Sequence, residues 1–169
     1  GKIIVGGNFG SYNGTSRIRI ARLNADGSLS TGFNGAGPNG VVRAITVQTD
    51  GKVIIGGAFT IYNGFSGHNR IIRILSDGGT IDTGFVTGTG FMGFSADVYA
   101  INLQTDGKII VGGEFTSYNG TSRNRIVRLN TDATLDNAFN IGTGFNSLVF
   151  SINIQTDGKI VVLGATSYN

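Results

Sequence analysis

An all-β repeat fold is predicted by three features of this 169-residue chain. One heptapeptide returns four times, as GKIIVGG at Gly1, GKVIIGG at Gly51, GKIIVGG at Gly107 and GKIVVLG at Gly158. Asp-Gly pairs recur at hairpin spacing, as Asp26-Gly27, Asp50-Gly51, Asp77-Gly78, Asp106-Gly107 and Asp157-Gly158. No apolar period of 3.6 residues persists between them, so helices are not expected. A period of about fifty residues marks an array in which each unit buries its apolar surface against its neighbours.

The middle repeat justifies the elements in turn. Residues 98–104 are rich in strand formers and place Tyr99, Ile101 and Leu103 on one face. At Asp106-Gly107 a tight type I′ turn is predicted, because Asp-Gly accepts the positive φ angles that turn needs. Residues 108–111 return as a second strand, which Gly112-Gly113 ends or bulges. The polar, glycine-rich segment 116–124 is expected to be a loop with no element of its own. A third strand follows at 125–129, then a turn at Asn130-Thr131-Asp132 and a short fourth strand near Thr134-Leu135-Asp136. After Phe139, a loop through 142–145 leads to the next first strand at Val149, and residues 42–47 match the first strand of the unit before 98–103.

Four short antiparallel strands every fifty-odd residues are the signature of a β-propeller blade. Strands with apolar residues on both faces, as in 108–111, fit blades covered on both sides. The small residues Ala44, Ala100 and Ser151 fit crowded positions near a propeller axis. The chain therefore reads as one repeat array with units 1–50, 51–106, 107–157 and a partial unit 158–169. That is an incomplete propeller of just over three blades, whereas closed propellers have about four to eight. An open stack leaves apolar faces and strand edges in water. The expectation is a fragment of a larger chain, its faces covered by the remaining blades or by other copies of the chain. A β-trefoil is the alternative, since it too has three four-strand units, but it has no place for the strand starting at Gly158.

The string DGKIIVGGEFTSYNGTSRNRIVRLNTDATLDNAFN, Asp106 to Asn140, resembles the delta-60 repeat, a bacterial domain predicted to form β-propellers. The resemblance covers essentially the whole chain as three units and a stub. It implies a large secreted or surface-exposed bacterial or phage protein, with no established catalytic residues to carry over. Two departures stand out. Ser30 takes the place of Asp82 and Asp136, and the last repeat, Val162-Leu163-Gly164-Ala165-Thr166, lacks the glycine pair and the Phe seen at Phe9, Phe59 and Phe115.

Composition narrows the chemistry. Cysteine is absent, which removes disulfides, thiolate catalysis and thiolate metal sites. No run of eighteen apolar residues is present, so no membrane span is expected. The net charge of +3 comes without a basic run, which argues against a nucleic-acid partner. His68 is the sole histidine, in a loop that reads as solvated, and Glu114 is the sole glutamate. A glycosidase needs two carboxylates converging on one pocket; Glu114 and Asp136 are candidates, but repetition places most acids in equivalent, separated blades. The loops at 24–27 and 130–132 lack the closing bidentate acid of a calcium loop, so no metal, cofactor or catalytic residue is expected.

The candidate ligand-binding residues are the recurring Tyr-Asn pairs: Tyr12 and Asn13, Tyr62 and Asn63, Tyr118 and Asn119, with Tyr168-Asn169 in register. Tyrosine beside amides and hydroxyls suits a platform for a glycan or a surface protein. The same repetition also fits tyrosines packed between blades around Asn-Gly turns. The expected function is a non-enzymatic scaffold or adhesion segment, secreted, on the cell surface or on a phage particle, binding through loops on one propeller face. A carbohydrate-binding module using the Tyr-Asn rim is the alternative, and a non-catalytic part of a secreted hydrolase the third.

Overall fold

The computed structural model describes residues 1–33 and 35–164, so Tyr168 and Asn169 lie outside the described residues. In the first sheet β1 (Ile3–Gly6) pairs with β4 (Ile20–Leu23), and between them β2 (Ser11–Tyr12) and β3 (Thr15–Ser16) form a small hairpin. The second sheet orders β5 (Val42–Val47), β6 (Val53–Gly57) and β9 (Ile71–Ile74), with β7 (Ile61–Tyr62) and β8 (Phe65–Ser66) as its hairpin. In the third, β11 (Val98–Leu103), β12 (Ile109–Gly113) and β15 (Ile126–Leu129) repeat that order. Its hairpin, β13 (Ser117–Tyr118) and β14 (Thr121–Ser122), gains a preceding strand, β10 (Phe91–Met92). The fourth sheet pairs β16 (Ser151–Ile154) with β17 (Ile160–Leu163). All pairings are antiparallel, and β1, β5, β11 and β16 lie successively against one another. Four separate sheets stacked in chain order are propeller blades, and they exclude the trefoil's single closed barrel.

Three local expectations change. The expected fourth strand is reduced to a single bridge in each of the first three blades, Leu23 to Leu29, Ile74 to Ile81 and Leu129 to Leu135. The segment 116–124 is not structureless: it holds the β13–β14 hairpin, where Asn119 (φ 45°) and Gly120 (φ 76°) both lie in the left-handed region. Those angles make it the type I′ turn, which needs only one short ladder to close. The Asp-Gly turns are of another kind. Only the glycine has positive φ, 82° at Gly107, because the Asp106 carboxylate accepts the Lys108 N–H and holds the aspartate in the right-handed region. The result is a type I turn followed by a glycine bulge. At the one exception Ala133 takes the left-handed position with φ 71°.

Blades stack through knobs and flat sockets. In the inner blades every residue of β6 and β12 is buried, whereas β1 and β17 alternate between more and less exposed residues. One core lies between blades 1 and 2, around Ile20, Val42 and Ile55, and a second between blades 2 and 3, around Ile54, Val98 and Val111. A third joins blades 3 and 4 through Ile110, Val149 and Ile152. At each junction a glycine of the second strand faces a Val and an Ile of the next blade's first strand. A Cβ on Gly112 would lie 2.5 Å from Val149 Cγ1 and 2.8 Å from Ile152 Cδ1, and Gly6 and Gly56 meet Val42 and Val98 in the same way. The end faces of the stack carry exposed Ile3 and Val5 at one side and Val161 and Leu163 at the other. Each such side chain forgoes part of the roughly 1.5–3 kcal/mol that full burial would contribute.

Repeated ion triads brace the blades. Asp82 meets Arg73 at 2.8 Å and Lys52 at 3.0 Å, and Asp136 meets Arg128 at 2.8 Å and Lys108 at 2.9 Å. Each arginine also lies over a phenylalanine, Arg73 over Phe85 and Arg128 over Phe139. Blade 1 has Ser30 at the acid position, and Arg22 bonds to the carbonyls of Thr31 and Ser76 instead. The Lys108 ammonium, then the Ala138 N–H and Arg128, hold the Asp136 carboxyl down at about 2. A carboxyl depressed in the folded state stabilises it above the unfolded value of 3.8, and that contribution fades as pH falls toward 2. Asp136→Asn is therefore expected to flatten the acid side of the stability curve between about pH 4 and pH 2. Urea midpoints measured across that range check this; an unchanged pH slope in the variant would contradict it.

Candidate functional site

The small hairpins, one per blade in blades 1 to 3, carry the candidate Tyr-Asn pairs. The tyrosines point inward: Tyr62 and Tyr118 are each 1% exposed, and Tyr12 is half-buried. Tyr118 Oη donates to the Ala133 carbonyl at 2.6 Å and Tyr12 Oη to that of Gly27 at 2.7 Å, tying each hairpin to the turn after its third strand. Burial pushes the Tyr62 and Tyr118 phenols above their ordinary range, so both stay neutral. The Tyr118 ring packs on Phe91, which in turn packs on Phe115.

The asparagines staple neighbouring loops. Asn63 Oδ1 accepts the Gly37 N–H at 2.8 Å while its amide donates to the Gly79 carbonyl, and Asn119 Oδ1 accepts the Thr89 N–H. Asn13 is exposed. Tyr12, Tyr62, Asn63, Tyr118 and Asn119 therefore brace the loops, and the ring faces of Tyr62 and Tyr118 are turned away from solvent.

The other sequence candidates do not converge. Asp136 is engaged by Lys108 and Arg128. Asp26 and Asp132 bond to Ser28 and Thr134 within their own turns, as hairpin carboxylates do. Among the described residues, no group of three His, Asp or Glu side chains could hold a metal ion. No helix among them is long and apolar enough to cross a membrane.

Among the three described hairpins, that of blade 2 departs in sequence from the other two. Blade 1 and blade 3 read Tyr-Asn-Gly-Thr-Ser-Arg at 12–17 and 118–123, but blade 2 reads Tyr-Asn-Gly-Phe-Ser-Gly-His at 62–68. In blade 3, Arg123 reaches across the gap beside the hairpin and donates to Asn137 Oδ1 at 3.4 Å. Blade 2 has Gly67-His68 in place of that arginine, and a cleft of about 630 Å³ lies open there. Phe65, His68 and Val86 line it together with Asn63 and residues 79–83. Phe65 is 65% exposed and Val86 58%. Burial lowers the His68 imidazole from its ordinary range, so it is neutral at pH 7. The signal for this cleft was present in the sequence, as the extra residue and the Phe and Gly substitutions in a single unit.

Stacked antiparallel sheets with this hairpin-decorated rim define a β-propeller protein. The chain belongs to the family described as "Domain of unknown function (DUF5122) beta-propeller", whose model matches residues 1–33, 48–85 and 104–139. That match bears out the resemblance drawn from residues 106–140. No curated protein matches the chain. Among solved structures it is similar to the WD40 β-propeller domain of Doa1, at 20% identity and a TM-score of 0.58. That alignment covers 87% of this chain and 40% of the other. Virginiamycin B lyase from Staphylococcus aureus matches at 19% identity and a TM-score of 0.46, over 99% of this chain and 60% of the lyase. The chain thus spans less than two thirds of either structure.

Proposed function

We propose that this chain is a non-catalytic scaffold or adhesion segment of a larger bacterial surface, secreted or phage-borne protein, making its contacts through the hairpin-bearing loops. The observation that carries this reading is the contrast between a braced framework and a variable tip. Tyr12 and Tyr118 anchor their hairpins through the same hydroxyl-to-turn bond, while at the solvent-facing tip blade 2 carries Phe65 where blades 1 and 3 carry Thr15 and Thr121. A rigid frame with changeable tips is what a recognition surface needs, because little ordering entropy is lost on contact.

The test uses the purified, fluorescently labelled chain with whole bacterial cells. The proposal predicts saturable retention above an albumin control. It is overturned by the absence of retention, or by turnover in a general hydrolase screen that Glu114→Gln abolishes.

A further inference from the structure

We infer that the blade 2 cleft is a binding site for a neutral saccharide, with Phe65 as its stacking ring. The inference rests on the loop-contact reading above and narrows it to one blade and one ligand class.

The cleft is made by substitution, since the arginine that bridges the equivalent gap in blade 3 is missing here. Gly67-His68 stand in its place, and Phe65, where blades 1 and 3 have Thr, turns an aromatic ring to water at 65% exposure on a two-residue strand. A flat, exposed ring beside a second apolar wall, Val86, suits the carbon–hydrogen face of a sugar ring.

Charge decides the ligand class further. Asp82 is the one carboxylate in the lining, and Arg73 and Lys52 neutralise it at 2.8 and 3.0 Å. His68 is neutral. Among the described residues that line the cleft, no free cation selects a phosphate, a sulfate or a uronate, and no free carboxylate selects an amine.

The remaining polar groups separate a sugar from an apolar peptide side chain. The Ser66 and Thr83 hydroxyls and the His68 imidazole line the cleft, and none has a hydrogen-bond partner among the described residues. A leucine or phenylalanine entering the cleft would strip water from these groups and return nothing. Each unmatched buried polar group costs about 1–3 kcal/mol. A sugar meets the ring with carbon and these groups with hydroxyls.

The experiment is a glycan array followed by titration of the best-retained uncharged oligosaccharide. Wild-type protein is expected to bind, Phe65→Trp to keep binding, and Phe65→Thr to weaken it about tenfold, the size of one lost stacking contact. Phe65→Thr restores the residue found in blades 1 and 3, and an unchanged melting temperature verifies its fold. Equal affinity in Phe65→Thr, or no uncharged glycan retained, overturns the inference. So does a displayed library of short apolar peptides that binds through Phe65 in its place. If cells still retain the chain in any of these cases, the broader loop-contact reading survives. A chain that neither cells nor glycans retain fails both.

Discussion

Gly112→Val is expected to be among the most damaging single substitutions in this chain, costing on the order of 3 kcal/mol by overpacking. The side chain would enter the seam between blades 3 and 4, where even its first carbon sits 2.5 Å from Val149 and 2.8 Å from Ile152. Neither neighbour can withdraw freely. Val149 is fully buried and Ile152 is 7% exposed, both inside the same core as Ile110 and Ile126. Valine is otherwise a better strand former than glycine, so local propensity alone predicts stabilisation and the packing argument predicts the reverse. The last repeat offers a natural comparison. It carries Leu163 at the equivalent position, and that side chain is 68% exposed because no described residue lies over it. Urea denaturation of Gly112→Val beside wild type reads the sign directly.

Phe115→Ala is expected to cost about 3–5 kcal/mol, the usual range for removing a fully buried aromatic ring. Phe115 is 0% exposed, its ring centroid lies 4.3 Å from that of Phe91, and it belongs to the core joining blades 2 and 3. Phe91 also contacts Tyr118, so the cavity would loosen the hairpin as well as the blade. Domains of this size are stable by about 5–15 kcal/mol, so one such cavity removes a large fraction of the total. Chemical denaturation with near-ultraviolet dichroism follows both the global loss and the tyrosine environment. A cost below about 1 kcal/mol would show that Phe115 is not tightly packed in the core between blades 2 and 3.

Much of this architecture was legible in the residues because repetition amplifies weak signals. The strands around Ile109–Gly113 were found by apolar content and by the turn before them, and burial on both faces followed from the lack of alternation. The hairpin at Ser117–Tyr118 and Thr121–Ser122 was missed for a physical reason. Two-residue strands carry no periodicity, and polar side chains mask a ladder that backbone groups alone make. The turn type at Asp106-Gly107 was misjudged because the dipeptide fits two turns. What selects between them is the bond from the Lys108 N–H to the Asp106 carboxylate.

The recurrence of the Tyr-Asn pairs was legible in the sequence, but the orientation of their side chains was not. The Tyr-Asn pairs recur in register on the small hairpins, yet sequence spacing does not say whether a ring faces water or the Ala133 carbonyl. The blade 2 cleft depends on an absence, the arginine that blade 3 has and blade 2 lacks. Absences become visible only when repeats are laid over one another in space.

The face-to-face stacking of blades is tested most directly by a double-mutant cycle between Gly112→Ala and Val149→Ala. If the Val149 methyl group occupies the Gly112 socket, trimming it makes room for the new Cβ. The double variant should then be more stable than the sum of the single losses by about 1 kcal/mol or more. Losses that add to within about 0.3–0.5 kcal/mol, as they do for distant sites, would mean that these two strands do not meet and that the blades are not stacked as described.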